Sequence, residues 1–240
     1  MLPVPRSRTA LLAGVPEGLG GLRRRVLFGG AVAIGTLWML QTAAAWNSTQ
    51  LESTMAARFG EAGMRRLAQW QALLQAQRGR PVSQQLQAVN DFWNQQVLAA
   101  LDSVVWKAAD YWATPLESLG RGEGDCEDFV IAKYFSLTHL GVPAEQLRFI
   151  YVRARVGGAG STQSVAHMVL GYYATPQAEP LVLDNLVGRI SPASGRPDLT
   201  PVFSFDAQGV YVNGQRSAST ERINRWQDLL VRMQKEGFTP

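Results

Sequence analysis

One stretch constrains this chain more than any other: Gly122-Glu123-Gly124-Asp125-Cys126-Glu127-Asp128-Phe129. It holds the single cysteine of 240 residues, set among carboxylates, and the apolar run Phe129, Val130, Ile131, Ala132, Tyr134, Phe135 and Leu137 follows it. Glycines feeding such a run predict a turn that opens into a buried helix. Cys126 then falls in the first helical turn, where unpaired backbone N–H groups and the positive end of the helix dipole favour a thiolate. A plainer reading stands beside this one. With Asp125 as N-cap, Asp128 falls at N3, so the acids could be a capping box beside an inert, buried thiol.

Composition narrows the function classes. Five of the 23 Lys and Arg residues and one of the 19 Asp and Glu residues lie in positions 1–45, leaving 18 of each sign in 46–240. The basic excess belongs to the leader, so nothing argues for nucleic-acid binding. In that leader Arg23-Arg24-Arg25 precedes the uncharged run Val26–Leu40, and Ala43-Ala44-Ala45 follows. This order matches a secretory signal, with retention as an N-terminal membrane anchor the alternative. Residues 1–45 are therefore expected to be a signal peptide or anchor, and 46–240 an exported domain, periplasmic or held at the inner membrane. A lone thiol in an exported chain cannot pair within the chain, and catalysis is one reason to keep it.

Along the rest of the chain, apolar residues at threes and fours predict a helix over Leu51–Gln77, bent or divided near Gly60 and Gly63. A second helix is expected from a Ser83 cap, with the stripe Leu86, Val89, Phe92 or Trp93, Val97 and Leu101. Residues 106–124 read as a loop with one turn beginning at Pro115. The Cys126 helix should end near His139 or Leu140, before Gly141-Val142-Pro143. Strands are expected over 147–156, 165–174, 180–186, 202–205 and 210–212, an antiparallel meander closed by a helix over 220–235. In the first of these, Phe149, Tyr151 and Arg153 should share one face, with Ile150 and Val152 on the other. The fold class is α+β, helices packed on an antiparallel sheet.

A thiol nucleophile needs a base, and the base needs a partner to orient it. Only two histidines are available. His139 sits 13 residues beyond Cys126 on the same helix, about 20 Å away, and cannot reach. His167 interrupts an apolar strand, and Asp184 ends the apolar run of the next one. Taken singly, His167 could be a hydrogen-bonded core residue and Asp184 a turn former. Together with a cysteine at a helix start, the three suggest a Cys-His-Asp triad.

Gly124-Asp125-Cys126-Glu127-Asp128, Ala166-His167-Met168-Val169-Leu170 and Leu183-Asp184-Asn185 resemble the three motifs of the bacterial transglutaminase-like cysteine proteinases, in particular the LapG-type periplasmic proteases. Asp110-Tyr111-Trp112-Ala113-Thr114-Pro115 is also similar to that family. The resemblance spans about residues 80–215 and implies a papain/transglutaminase-like fold. It further implies Cys126 as nucleophile at a helix N-terminus, His167 as general base and acid, and Asp184 as its orienter. It also implies calcium held at Asp125, Glu127 and Asp128. The substrate it implies is a large surface adhesin cut near its N-terminus at a dialanine site, which releases the adhesin and disperses biofilm. An inner-membrane cyclic-di-GMP receptor similar to LapD would sequester the enzyme. Calcium has a physical argument of its own. Carboxylates beside a thiol oppose its ionisation, and a divalent cation held by their hard oxygens reverses the local field. Two rival functions remain at this stage: a transglutaminase or amidase using the same triad, and a catalytically silent calcium-sensing binding module.

Overall fold

The computed structural model describes residues 46–239 except 159, 207–208, 213–214 and 220–222. The leader thus lies outside the described residues. Among those described, no helix is long and apolar enough to cross a membrane.

The first helix, α1 (Ser48–Gln77), is capped by the Asn47 side chain, which accepts from the Gln50 N–H. Gly60 breaks its regularity with φ 60° and ψ −155°, a conformation that needs a residue without a Cβ. This is the expected bend. Helix α2 (Val82–Gln96) begins after Pro81, so Ser83 lies inside the first turn rather than capping it. Trp93, not Phe92, is the fully buried aromatic of its stripe. The helix also ends earlier than its pattern suggests. After Gln96 the chain extends into β1 (Leu98–Ala99), leaving Leu98 and Leu101 exposed.

The segment expected to be loop is more ordered than that. A single turn, α3 (Asp102–Val105), precedes it, and it holds a seven-residue helix, α4 (Pro115–Arg121). Thr114 and Glu117 form a reciprocal capping box around α4, with Pro115 at the first helical position. Two residues later β2 (Glu123–Gly124) pairs in parallel with β1, and α5 (Cys126–His139) starts at once.

The sheet has the order β6-β5-β4-β3-β7-β8-β9, with every pairing antiparallel. Its strands are β3 (Leu147–Arg155), β4 (Ser164–Tyr172), β5 (Leu181–Leu183), β6 (Ser191–Pro192), β7 (Leu199–Phe205), β8 (Val210–Val212) and β9 (Gln215–Ala218). The expected meander holds only as far as β6. The chain then returns to the free side of β3 for β7 to β9, which makes β3 central. Residues 213–214 and the start of the helix expected over 220–235 lie outside the described residues; the last helix, α6, spans Asn224–Glu236.

The chain is therefore α+β as its pattern implies, with the main core between helices and one sheet face. Phe149, Met168, Leu170, Leu183 and Phe205 pack there with Trp70, Trp93, Ile131, Leu137 and Trp226. Val152, Val169 and Val182 form a smaller cluster on the opposite face with Ile150. The two-residue alternation read in β3 is thus realised. A single hydroxyl ties three helices together: Ser136 Oγ of α5 accepts from the indole N–H of both Trp70 and Trp93, each at 2.9 Å. Burying aromatics of this size stabilises by about 2–3 kcal/mol each, and pairing the indole N–H groups removes the cost of hiding them.

Candidate active site

Residues 122–128 fold as they do because α5 begins against a neighbouring loop. The Asp128 carboxylate accepts from the Asp125 N–H at 3.3 Å and from the Ala113 N–H at 2.7 Å. The first bond is the capping interaction that the sequence suggests; the second joins the helix start to the segment before α4. A Cβ on Gly124 would stand 2.7 Å from an Asp128 oxygen, so this approach requires glycine. Cys126 is consequently the first residue of α5. Its Sγ lies 3.1 Å from Glu127 Oε2.

His167 sits in β4 opposite Val152, and its Nε2 is 2.8 Å from Asp184 Oδ1. Both side chains are buried. Asp184 follows the last residue of β5 by one position rather than lying within the strand. Its Oδ1 also accepts from the Leu186 N–H at 2.9 Å, and its Oδ2 from Arg196 Nη2 at 2.7 Å. With Nε2 engaged by the carboxylate, Nδ1 is the ring nitrogen left for chemistry.

The pleat places His167 on the same side of β4 as Val169, opposite Met168 and Leu170. The sulfur nevertheless shares a cleft with the imidazole. β5 pairs only with residues 170–172 of β4, which leaves the outer edge of residues 164–169 without a strand among the described residues. The cleft, about 560 Å³, wraps that edge and is bordered by Asp125, Cys126, Glu127, Tyr151, His167 and Asn185. The Met168 backbone amide, next in sequence to His167, is near enough to the sulfur to favour a thiolate. Other forces dominate. Burial, then the charge of Glu127 and its hydrogen bond, then Asp125, push the Cys126 thiol well above its ordinary range. His139 stacks on Trp46 at the far end of α5, with ring centroids 3.9 Å apart, as the helix length requires.

The acids form a larger cluster than the three residues named from the sequence. Asp102, Asp125 and Asp128 can bring carboxylate oxygens within 4.8 Å of one another, as can Asp102, Asp110 and Glu127. Burial, then Glu127, then Asp128 raise the Asp125 carboxyl to about 9. Burial likewise pushes Asp128 well up and raises Asp102. Asp102 Oδ1 and Asp125 Oδ1 are buried without a hydrogen-bond partner. Orphaned, crowded hard oxygens of this kind fit a divalent cation of the calcium type. Asp102 is missed by sequence reasoning because it lies 23 positions before Asp125, in a segment without a motif. Arg196 is missed for the same reason.

Residues 66–196 match the profile of the family described as bacterial transglutaminase-like cysteine proteinase BTLCP. Among solved structures, the chain is similar to Legionella pneumophila LapG at 37% identity and a TM-score of 0.66, covering 77% of this chain and 96% of that one. The calcium-bound form of that protein aligns at 38% identity and a TM-score of 0.66, covering 77% and 98%. Its EGTA-treated form aligns at 38% and 0.67, covering 77% and 96%. No curated protein matches.

Proposed function

The chain belongs to the bacterial transglutaminase-like cysteine proteinases, and from that premise we propose that it is a calcium-dependent cysteine endopeptidase working through Cys126, His167 and Asp184. The observation that carries this reading is the buried 2.8 Å pair of His167 and Asp184, whose histidine borders the same cleft as Cys126 at its helix start.

In this mechanism His167 takes the thiol proton on Nδ1 while Asp184 holds Nε2–H, which fixes both tautomer and ring plane. Sulfur attacks a peptide carbonyl. The oxyanion is held by N–H groups at the start of α5, that of Cys126 among them. His167 then returns the proton to the leaving amine, and water hydrolyses the thioester. Asp102, Asp125, Glu127 and Asp128 would hold calcium. Bound there, the ion supplies positive charge where Glu127 and Asp125 otherwise oppose the thiolate.

The substrate is the N-terminal region of a large surface adhesin, cut to release it and promote biofilm dispersal. The leader directs the enzyme to the periplasm, where an inner-membrane cyclic-di-GMP receptor similar to LapD controls access to the cleft. These statements rest on the family resemblance and on the basic, then apolar, leader.

The test is cleavage of an adhesin N-terminal fragment by the protein, with calcium and with a chelator, followed by mass spectrometry. Two fragments formed only with calcium, and none with Cys126→Ala, are expected. A crosslinked or deamidated product, or cleavage by Cys126→Ala, refutes the proposal.

A further inference from the structure

Arg196 belongs to none of the motifs, yet it completes the surroundings of Asp184. Its side chain is 5% exposed. Nη2 donates to Asp184 Oδ2 at 2.7 Å and to Asp198 Oδ2 at 2.8 Å, and Nε donates to Asp198 Oδ1 at 3.0 Å. Asp198 thus fixes the guanidinium plane, and the guanidinium fixes one oxygen of Asp184. The other oxygen is left for His167 and the Leu186 N–H. The backbone is anchored as well. Asn94 Nδ2 donates to the Asp184 carbonyl at 2.9 Å, so what the guanidinium adds is control of the carboxylate's rotation.

The fold delivers Arg196 to this place. It follows the 3-10 turn Ala193–Gly195, donates its N–H to the Ala193 carbonyl, and accepts at its own carbonyl from Leu199, the first residue of β7. It therefore stands where the chain leaves one margin of the sheet to cross to the other side of β3.

We propose that Arg196 is a positioning residue of the active site, locking the Asp184 carboxylate in the rotation that presents Oδ1 to His167 Nε2 and so keeps Nδ1 available to the sulfur. This rests on the triad read above. A buried counter-charge that only stabilises the fold would need positive charge at this point; positioning needs the planar fork, which lysine lacks.

Arg196→Lys separates the two. It keeps the charge and loses the two-sided geometry. Three measurements on the full chain decide the matter: thermal melting; kcat and KM on the cleaved peptide; and ¹⁵N NMR of the imidazole in a Cys126→Ser background. The chain has only two histidines, so His139→Gln assigns the spectrum. The parent protein should show a single His167 tautomer protonated on Nε2. Arg196→Lys should show mixed tautomers and a fall in kcat of about tenfold to a hundredfold with KM nearly unchanged, the cost of a misplaced catalytic group. Asp198→Asn, which frees the guanidinium plane, should move both readouts the same way by less. An unchanged tautomer in Arg196→Lys, or a rate loss accounted for by the unfolded fraction alone, overturns the proposal. If the parent protein cleaves nothing while the tautomer still depends on Arg196, the proposed activity fails and the positioning role stands.

Discussion

Asp128 Oδ1 accepts the Ala113 N–H at 2.7 Å, joining the first turn of the cysteine helix to a segment 15 positions upstream. The carboxylate is fully buried, so the N–H groups that donate to it have no water to fall back on. This bond sets where α5 begins relative to the loop that carries Asp110, Tyr111 and Trp112.

Asp128→Ala should therefore destabilise by about 2–3 kcal/mol, because the Ala113 and Asp125 N–H groups lose their acceptor. Asp128→Asn keeps one acceptor oxygen and should lose less. Chemical denaturation checks the order; equal stability of Asp128→Ala and the parent protein would contradict it.

The acid cluster gives stability a pH dependence whose sign is fixed. Without calcium, burial and neighbouring carboxylates push the Asp125 carboxyl up to about 9 and raise Asp128 and Asp102, so the folded state binds these protons more tightly than the unfolded chain. Their contribution to stability is complete below the usual carboxylate range and is lost as pH rises through their raised folded-state values, about 9 for Asp125. Calcium held by these acids, as proposed, would remove the penalty by neutralising the ionised form. The rise in Tm on adding calcium should thus be larger at high pH than at low pH. A calcium effect on Tm that does not grow with pH would tell against these residues as its site.

The thiol provides a second readout of the same field. Glu127 and Asp125 help hold Cys126 protonated in the absence of a cation. Alkylation by iodoacetamide, followed by mass spectrometry, should be slow in chelator and faster in calcium at one pH. Glu127→Gln should speed the reaction in chelator, since it removes the nearest negative charge. Alkylation equally fast with and without calcium would sever the link between the acids and the sulfur.

Glu117 of α4 anchors the same loop from the other side. It is buried, accepts from Arg58 at 2.7 Å and from the Tyr111 hydroxyl at 2.9 Å, and pairs with Arg232 of α6. Glu117→Ala leaves the Thr114 N–H without its acceptor and Arg232 without its carboxylate, with only the Trp112 carbonyl and the Tyr111 hydroxyl remaining to it, and should cost about 2 kcal/mol or more, visible in Tm. Arg58 is 40% exposed at its side chain and can turn to water, so Arg58→Ala should cost less.

Much of this was readable in the residues. Periodicity located α1, α5 and α6 and the faces of β3, because helix and strand patterns depend on neighbours in sequence. The α4 helix was readable too: Thr114-Pro115-Leu116-Glu117 is a capping box with proline at the first helical position, yet its short apolar pattern suggested only a turn. The strand margins were harder. β5 stops at Leu183, one residue before Asp184, because pairing with β4 ends there and not because of the local pattern.

The sequence by itself determined that a lone thiol opens a helix, that His139 is out of range on the same helix, and that His167 and Asp184 sit in adjacent runs. Spacing along one element is a local property, and the chain carries it wherever it folds. Only the tertiary structure decided that the sulfur and the imidazole border one cleft around an open strand edge, that Asp102 joins the acids, and that Arg196 grips Asp184. Those relationships depend on β7 crossing to the far side of β3 and on the Ala113 amide meeting Asp128. Pairings between distant segments are chosen by burial and hydrogen bonding of the whole chain, and no single window of residues contains them.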